Sequence, residues 1–267
     1  MKDKSQIFYL SQAGFTLKIV FEPTDQIFIK NEFISIFKKT WKDFLTKKGK
    51  KEDFSITVSP GTANLEVIAR EAGEKYYFLS ISRDFKHNKA TIYYSGSIRI
   101  LDTLIKEVFA YLLAKDGFLL HSSTLLGQDK TLYIFLARSG GGKTTTAKLL
   151  RGKALTEFSD DIVIVKRTQE GWRYFTPPLV EKERPALRQE AKKAVFFVIK
   201  KAKKGYKRKI ENPGKILPFL LGQIWLREQK VDKRIFANAV KLIRENRFYY
   251  LGVTLERRVM KGIISEN

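Results

Sequence analysis

The chain has 267 residues, 43% of them hydrophobic and 13% aromatic, which suffices for one large domain or two small ones, and no apolar run reaches the roughly 20 residues of a membrane span. The absence of cysteine excludes disulfides, cysteine-ligated zinc and thiol nucleophiles, and two histidines (His87 and His121) are too few for a histidine-rich metal site. The formal charge is +23, and "KKAKKGYKRK" (200–209) places seven cations in ten residues.

Such a run suits an anionic partner, but a solvated hairpin tip in a lysine-rich chain is the plainer reading. Neither a helix-turn-helix nor an aromatic-interleaved pattern accompanies it, so nucleic acid is disfavoured as a partner. The opening "MKDKSQIFYLSQAGF" lacks the apolar core and small-residue cleavage site of a secretory signal, and a cytoplasmic protein without membrane association is expected.

In chain order, "FTLKIVFE", "FSITVSP", "EKYYFLSISRD" and "KATIYYSGS" mix β-branched and aromatic residues and predict strands. Between them, 31–45 spaces Phe33, Ile34, Phe37, Trp41, Phe44 and Leu45 at helical intervals. Residues 100–117 do the same with Leu101, Leu104, Ile105, Val108, Phe109 and Leu112, and Gly117 reads as the helix stop. "FLLHSSTLLGQDKTLYIFLA" predicts a hairpin through a "GQDK" turn, and 162–178 a second through "QEG". "AVFFVIKKAKKGYKRKIE" predicts a third, with the basic run at its tip, before closing helices in "KILPFLLGQIWL" and "KRIFANAVKLIRENR". The expected organisation is a β-rich region over 1–100, packed on rather than clearly separate from a core over 101–267.

The segment "ARSGGGKTT" (137–145) lies between an apolar strand and a helix beginning near Thr144. It matches Gly-x₄-Gly-Lys-Ser/Thr except that Ala137 stands where the first glycine usually does. In such a loop the backbone N–H groups of Ser139, Gly140, Gly141, Gly142 and the helix N-terminus, with Thr145 beyond, surround phosphate oxygens. Lys143 neutralises β/γ-phosphate charge and the Thr144 hydroxyl holds Mg²⁺. Ala137 is a mild departure with ordinary dihedrals and a damaging one at positive φ.

Asp160 follows Lys143 by 17 residues and, with Asp161, precedes the apolar "IVIV". Two adjacent carboxylates near a phosphate site divide naturally between metal binding and proton acceptance, which suits transfer to a hydroxyl. His121 lies in an apolar strand, where a lone histidine is more often a hydrogen-bonded structural residue, and His87 reads as exposed. Arg184 and Arg188 lie within reach of a transferring phosphoryl in principle; a solvated loop is the stronger expectation.

His121-Ser-Ser, the hairpin, "ARSGGGKTT", a short helix and "SDDIVIV" resemble the HPr kinase/phosphorylase group, with specific motifs over about residues 117–178. The flanks look like a smaller branch of related kinases that includes lasso-peptide kinases. The resemblance implies an α/β fold with a phosphoenolpyruvate-carboxykinase-like P-loop core and a mixed sheet. It also implies ATP- and Mg²⁺-dependent phosphorylation of a serine or similar hydroxyl. By the same resemblance, Asp160 is the base, Asp161 a metal or orienting ligand (the two roles remain interchangeable), and His121 a neighbour of the pair. The N-terminal domain of full HPr kinases and their later signature region are not evident, which argues against HPr as acceptor.

The expectation is therefore a serine kinase acting on a peptide or protein, with an acidic acceptor, a small-molecule acceptor and a homo-oligomer all left open. The alternative is a nucleotide-binding regulator or nucleic-acid-associated protein with little transferase activity. A simple ATPase ranks last, because no residue beyond the aspartates evidently positions a water.

Overall fold

A computed structural model describes residues 3–49, 51–60, 70–71, 74–75, 82–93, 98–180, 187–226, 232–254 and 256–265. The chain divides into two compact units, Met1–Leu112 with Pro178–Arg188, and Leu113–Pro177 with Gln189–Asn267. Both combine helices with mixed sheets, so the fold is α/β in each. Among the described residues no helix is long and apolar enough to cross a membrane.

The first unit begins with a hairpin of β1 (Gln6–Gln12) and β2 (Phe15–Phe21). Its two-residue turn has Ala13 at φ 54° and Gly14 at φ 79°, the double positive φ of a type I′ turn. After α1 (Ile27–Trp41) come β3 (Leu45–Thr46), β4 (Phe54–Ser59), β5 (Arg70–Glu71), β6 (Glu74–Lys75), β7 (Ser82–Asp84), β8 (Lys89–Tyr93) and α2 (Ile98–Leu113). The sheet runs β3-β1-β2-β4-β8-β7, while β5 and β6 pair with each other. Residues 76–81, within the expected strand "EKYYFLSISRD", lie outside the described residues.

Alternation turns Leu17, Ile19 and Phe21 of β2 and Phe54, Ile56 and Val58 of β4 to one buried face. Both helices cover that face. Phe33 and Phe37 of α1 meet Phe21, at ring separations of 6.0 and 5.3 Å; Phe109 of α2 meets Phe15 at 6.4 Å, and Tyr111 meets Phe54 at the same distance.

Two hydrogen bonds tie 178–180 to this unit: Trp41 Nε1 donates to the Pro178 carbonyl at 2.8 Å, and the Val180 N–H donates to Asp102 Oδ1 at 2.7 Å. Burial pushes the Asp102 carboxyl up to about 6, against the opposing influence of the Val180 N–H and Lys106. Because the folded state holds this proton more tightly than the unfolded chain, the neutral carboxyl's contribution is complete below about pH 4 and is lost as pH rises through about 6. Asp102→Asn, which keeps an acceptor for Val180, is expected to be more stable than the parent at pH 8 by about 2–3 kcal/mol. Thermal unfolding at pH 8 and pH 4 should show that advantage disappearing at the lower pH.

The second unit contains β9 (Gly117–His121), β10 (Ser123–Gly127), β11 (Thr131–Leu136), α3 (Lys143–Leu150), β12 (Leu155–Ser159), β13 (Ile162–Thr168) and β14 (Gly171–Phe175). It continues through β15 (Glu190–Ala191), β16 (Lys193–Lys201), β17 (Tyr206–Lys209), α4 (Leu217–Leu221), β18 (Ile224–Trp225), α5 (Lys233–Glu245), β19 (Arg247–Val253) and α6 (Arg257–Ser265). Its long sheet has the order β12-β10-β11-β16-β19-β17, with β11, β16 and β19 mutually parallel; its short sheet is β15-β14-β13-β9-β18.

The parallel strands of the long sheet are buried on both faces, hence the unbroken apolar runs "LYIFL" and "AVFFVI". Leu132, Ile134, Leu136, Phe196, Val198 and Phe248 face one core, shared with the short sheet, α4 and α5. Their alternates Phe135, Phe197, Ile199 and Leu251 face another with Ala147 and Leu150 of α3 and Met260 and Ile264 of α6.

Four sequence expectations change. The helix expected over 31–45 runs instead over Ile27–Trp41, with Phe44 in a separate tight turn and Leu45 in β3. Gly117 does not stop α2, which ends at Leu113; it opens β9, where a Cβ would lie 2.1 Å from the Val165 carbonyl oxygen. β16 and β17 are not a hairpin, because β19 lies between them and pairs with both. The segment "KILPFLLGQIWL" yields only the five-residue α4 and the short β18.

Candidate active site

β11 delivers the chain to the glycine loop, and α3 carries it away. Ala137 is buried at 3% exposure and is not among the described residues with positive φ, so it needs no glycine there. The unusual conformations fall on Gly140 (φ 68°) and Gly142 (φ 92°), the latter capping α3. Gly141 is required for space: a Cβ would sit 2.7 Å from the Ala137 Cβ and 2.8 Å from the Arg138 carbonyl oxygen, to which its own N–H is bonded.

Lys143 is the first residue of α3, and its Nζ curls back to donate to the Ala137 carbonyl at 2.9 Å. Burial holds its ammonium below the usual lysine value, while the Asp161 charge acts in the opposite direction. Thr144 is half-buried, Ser139 and Thr145 are exposed, and Thr146 Oγ1 bonds the Gly142 carbonyl at 2.8 Å to hold the first turn.

The aspartates occupy a corner where two strand connections switch sheets side by side. At Ser122 the chain leaves β9 in the short sheet for β10 in the long one; at Asp160–Asp161 it returns from β12 to β13. The pairings His121↔Ile162 and Thr124↔Ser159 flank the two crossings and hold them in register.

Hydroxyl groups bond the backbone that leaves both ladders. Thr124 Oγ1 donates to the Ser159 carbonyl at 2.8 Å and accepts the Ser159 N–H at 2.9 Å; Ser159 Oγ donates to the Ile162 carbonyl at 2.5 Å. The Ser122 N–H donates to the Asp161 carbonyl at 3.0 Å. The Ser123 hydroxyl is shared between the Asp160 carbonyl at 3.1 Å and Asp160 Oδ1 at 3.0 Å. His121 Nε2 lies 3.0 Å from Asp161 Oδ1, and the His121 N–H donates to the Gln223 carbonyl at 2.8 Å.

His121 thus holds Asp161 and Ser123 holds Asp160, while the pairing of Ser123 with Phe135 brings this corner to the end of the strand that feeds the glycine loop. Sequence reasoning missed Ser123 as a positioning residue. Its signal was present: three consecutive hydroxyl residues, Ser122, Ser123 and Thr124, interrupt an otherwise apolar run and are fully buried. His87 is exposed and bonded to Asp84; Arg188 is exposed and belongs to the first unit, and Arg184 lies outside the described residues.

Among the described residues, no group of three or more acidic, histidine or cysteine side chains gathers into a metal cage. Magnesium bound with a nucleotide needs less, commonly one or two carboxylates with a hydroxyl and phosphate oxygens. Of the two residues expected to hold it, Thr144 is half-buried at the start of α3 and the Asp161 carboxylate is 61% exposed.

No protein-family model matches the sequence, and no curated protein matches it. Among solved structures, the HPr(Ser) kinase/phosphatase from Coxiella burnetii is similar to this chain at 11% identity and a TM-score of 0.33, over 55% of this chain and 93% of the other. That is a distant likeness, too weak to transfer an activity or a residue.

Proposed function

We propose that the second unit is an ATP-dependent phosphotransferase, with a phosphoenolpyruvate-carboxykinase-like core, that moves the γ-phosphoryl to a serine or similar hydroxyl. The observation that carries this reading is that the glycine loop and the acidic corner meet at one end of the long sheet: Ser123, which bonds the Asp160 carboxylate, pairs with Phe135, two residues before the loop begins. A phosphate cradle alone suits any nucleotide-binding protein, whereas a second carboxylate beside it supplies a proton acceptor.

In this reading the acceptor hydroxyl attacks the γ-phosphorus, forming the new O–P bond as the bond to the β-phosphate oxygen breaks. Asp160 takes the hydroxyl proton, and Ser123 fixes the direction of its carboxylate. Lys143 and the backbone N–H groups of Ser139, Gly140, Gly142 and Lys143 stabilise the charge that moves onto the departing ADP, the Gly141 N–H being taken up by the Arg138 carbonyl. Mg²⁺, held by Thr144 and Asp161, would neutralise phosphate charge. His121 holds Asp161 in place.

The test is γ-labelled ATP and Mg²⁺ incubated with the protein, a dephosphorylated lysate and a serine-containing peptide pool. Label on a discrete acceptor, absent with Asp160→Asn and Lys143→Ala, is the expected result. Tight ATP binding without transfer, indifferent to Asp160→Asn, would instead identify a nucleotide-binding regulator. Ser123→Ala removes one hydrogen bond to a charged group and should lower kcat by about tenfold with the KM for ATP unchanged. Equal losses in kcat and in ATP affinity would mean that Ser123 merely supports the loop.

A further inference from the structure

The basic run lies at the same end of the long sheet as the glycine loop. Leu136, which leads into that loop, pairs with Val198, and Lys200 and Lys201 follow on the same strand. Beyond them 202–205 cross the end of β19 and enter β17, whose Tyr206 pairs with Gly252. Three strand spacings separate β11 from β17, about 14 Å in all. A chain lying along β17 is therefore within a few residues' reach of the phosphate loop.

β17 is the last strand of the sheet, and among the described residues no strand pairs with its outer side. The Ile210 N–H bonds the Phe248 carbonyl, so by antiparallel alternation Arg208 turns its backbone groups toward β19. Lys207 and Lys209 turn theirs outward. Lys200, Lys201, Lys203, Lys204, Arg208 and Lys209 are exposed around this edge, and Lys209 reaches Glu211 only at 3.8 Å with both side chains solvated.

We propose that the outer edge of β17, with Lys203 and Lys204 in the loop before it, docks an extended acidic peptide segment of the phosphoryl acceptor by adding it as another strand. The assignment to the acceptor rests on the phosphotransferase reading; the binding surface does not. Main-chain bonding at an open edge supplies affinity without sequence readout, and the surrounding cations select acidic side chains.

A single-stranded nucleic acid fits less well, because it would need several free aromatic faces in succession, and β17 offers one, Tyr206, 39% exposed with its ring laid over Gly252. Tyr249 lies under Lys207 Nζ at 5.1 Å and stacks on Phe197 at 5.8 Å; Tyr250 lies near Lys200 Nζ at 5.5 Å and the Arg208 guanidinium at 5.6 Å.

The experiment measures binding to the full chain without nucleotide, using a fluorescein-labelled peptide of alternating Glu and Ser, its Gln-for-Glu counterpart, and a single-stranded RNA. The Glu peptide is expected to bind at least about tenfold more tightly than the Gln peptide, and less tightly as salt rises. Lys203→Glu/Lys204→Glu should weaken it by about tenfold. Hydrogen exchange should show the Lys207 and Lys209 amides gaining protection when the Glu peptide binds. Lys209→Pro, which removes one outward donor, checks the edge separately, with thermal unfolding to verify its fold.

Equal binding of the two peptides, Glu-peptide binding without protection of those amides, or equal protection by RNA would overturn the proposal. Because binding is measured without ATP, its outcome is independent of the labelled-ATP assay: docking here with no transfer there would sustain the edge assignment while telling against the kinase. Phosphorylation of other acceptors without Glu-peptide binding would do the reverse.

Discussion

Asp160→Asn is expected to lower phosphoryl transfer by about 10²–10⁴-fold, the span for losing a positioned general base. The substitution preserves size and leaves Ser123 an oxygen to which it can donate, so the corner should keep its shape. What disappears is the capacity to take the acceptor's proton. ATP affinity should therefore stay within a few-fold of the parent, because the glycine loop and Lys143 are unaltered. Single-turnover transfer from labelled ATP, alongside calorimetric ATP binding, separates the two quantities. Turnover unchanged by this substitution would remove Asp160 from the chemistry and return the roles of the two aspartates to the open question that the sequence poses.

Lys143→Ala should damage both quantities. Its ammonium is at once a partner of the Ala137 carbonyl, a charge at the glycine loop and a group that the Asp161 charge influences. Loss of one preorganised donor at a developing charge costs about 10²–10³ in rate, and the weaker ground-state contact should show as poorer ATP binding. Unfolding stability should move by only about 1 kcal/mol, the scale of one hydrogen bond. Lys143→Arg is not expected to restore function, because a planar guanidinium cannot adopt the compact curl of an ammonium onto Ala137. A variant that binds ATP as tightly as the parent would show that the loop's amides suffice, and that the lysine serves only to close the loop.

These effects bear on what the two units contribute. The residues of the proposed site all fall within the second unit, on two crossings between its sheets and on one strand-to-helix turn. The first unit has its own one-faced sheet with two covering helices, and the pH dependence expected from Asp102 belongs to it alone. Stability and transfer should accordingly respond to different substitutions.

Much of the local structure was legible in the residues themselves. Helical spacing marked α1 and α2 because each buries one stripe; in α2 the last buried contact falls on Leu113 rather than the expected Leu112. Unbroken apolar runs marked β11 and β16 because both faces are covered. The glycine loop was legible because positive φ at Gly140 and Gly142, and the crowding at Gly141, are local demands that few other residues meet.

What the sequence could not decide was which strands become neighbours. β1, β12, β19 and α6 went unrecognised, and the insertion of β19 between β16 and β17 converts an apparent hairpin tip into the edge of a sheet. The corner at Asp160–Asp161 depends on where two strands change sheets, and Ser123 gains its role only when 37 residues of chain return to it. A period of two tells a strand which side chains turn inward, and that much is local. Neighbour and register follow from burying those faces against segments far away in the chain, so only the tertiary structure settles them.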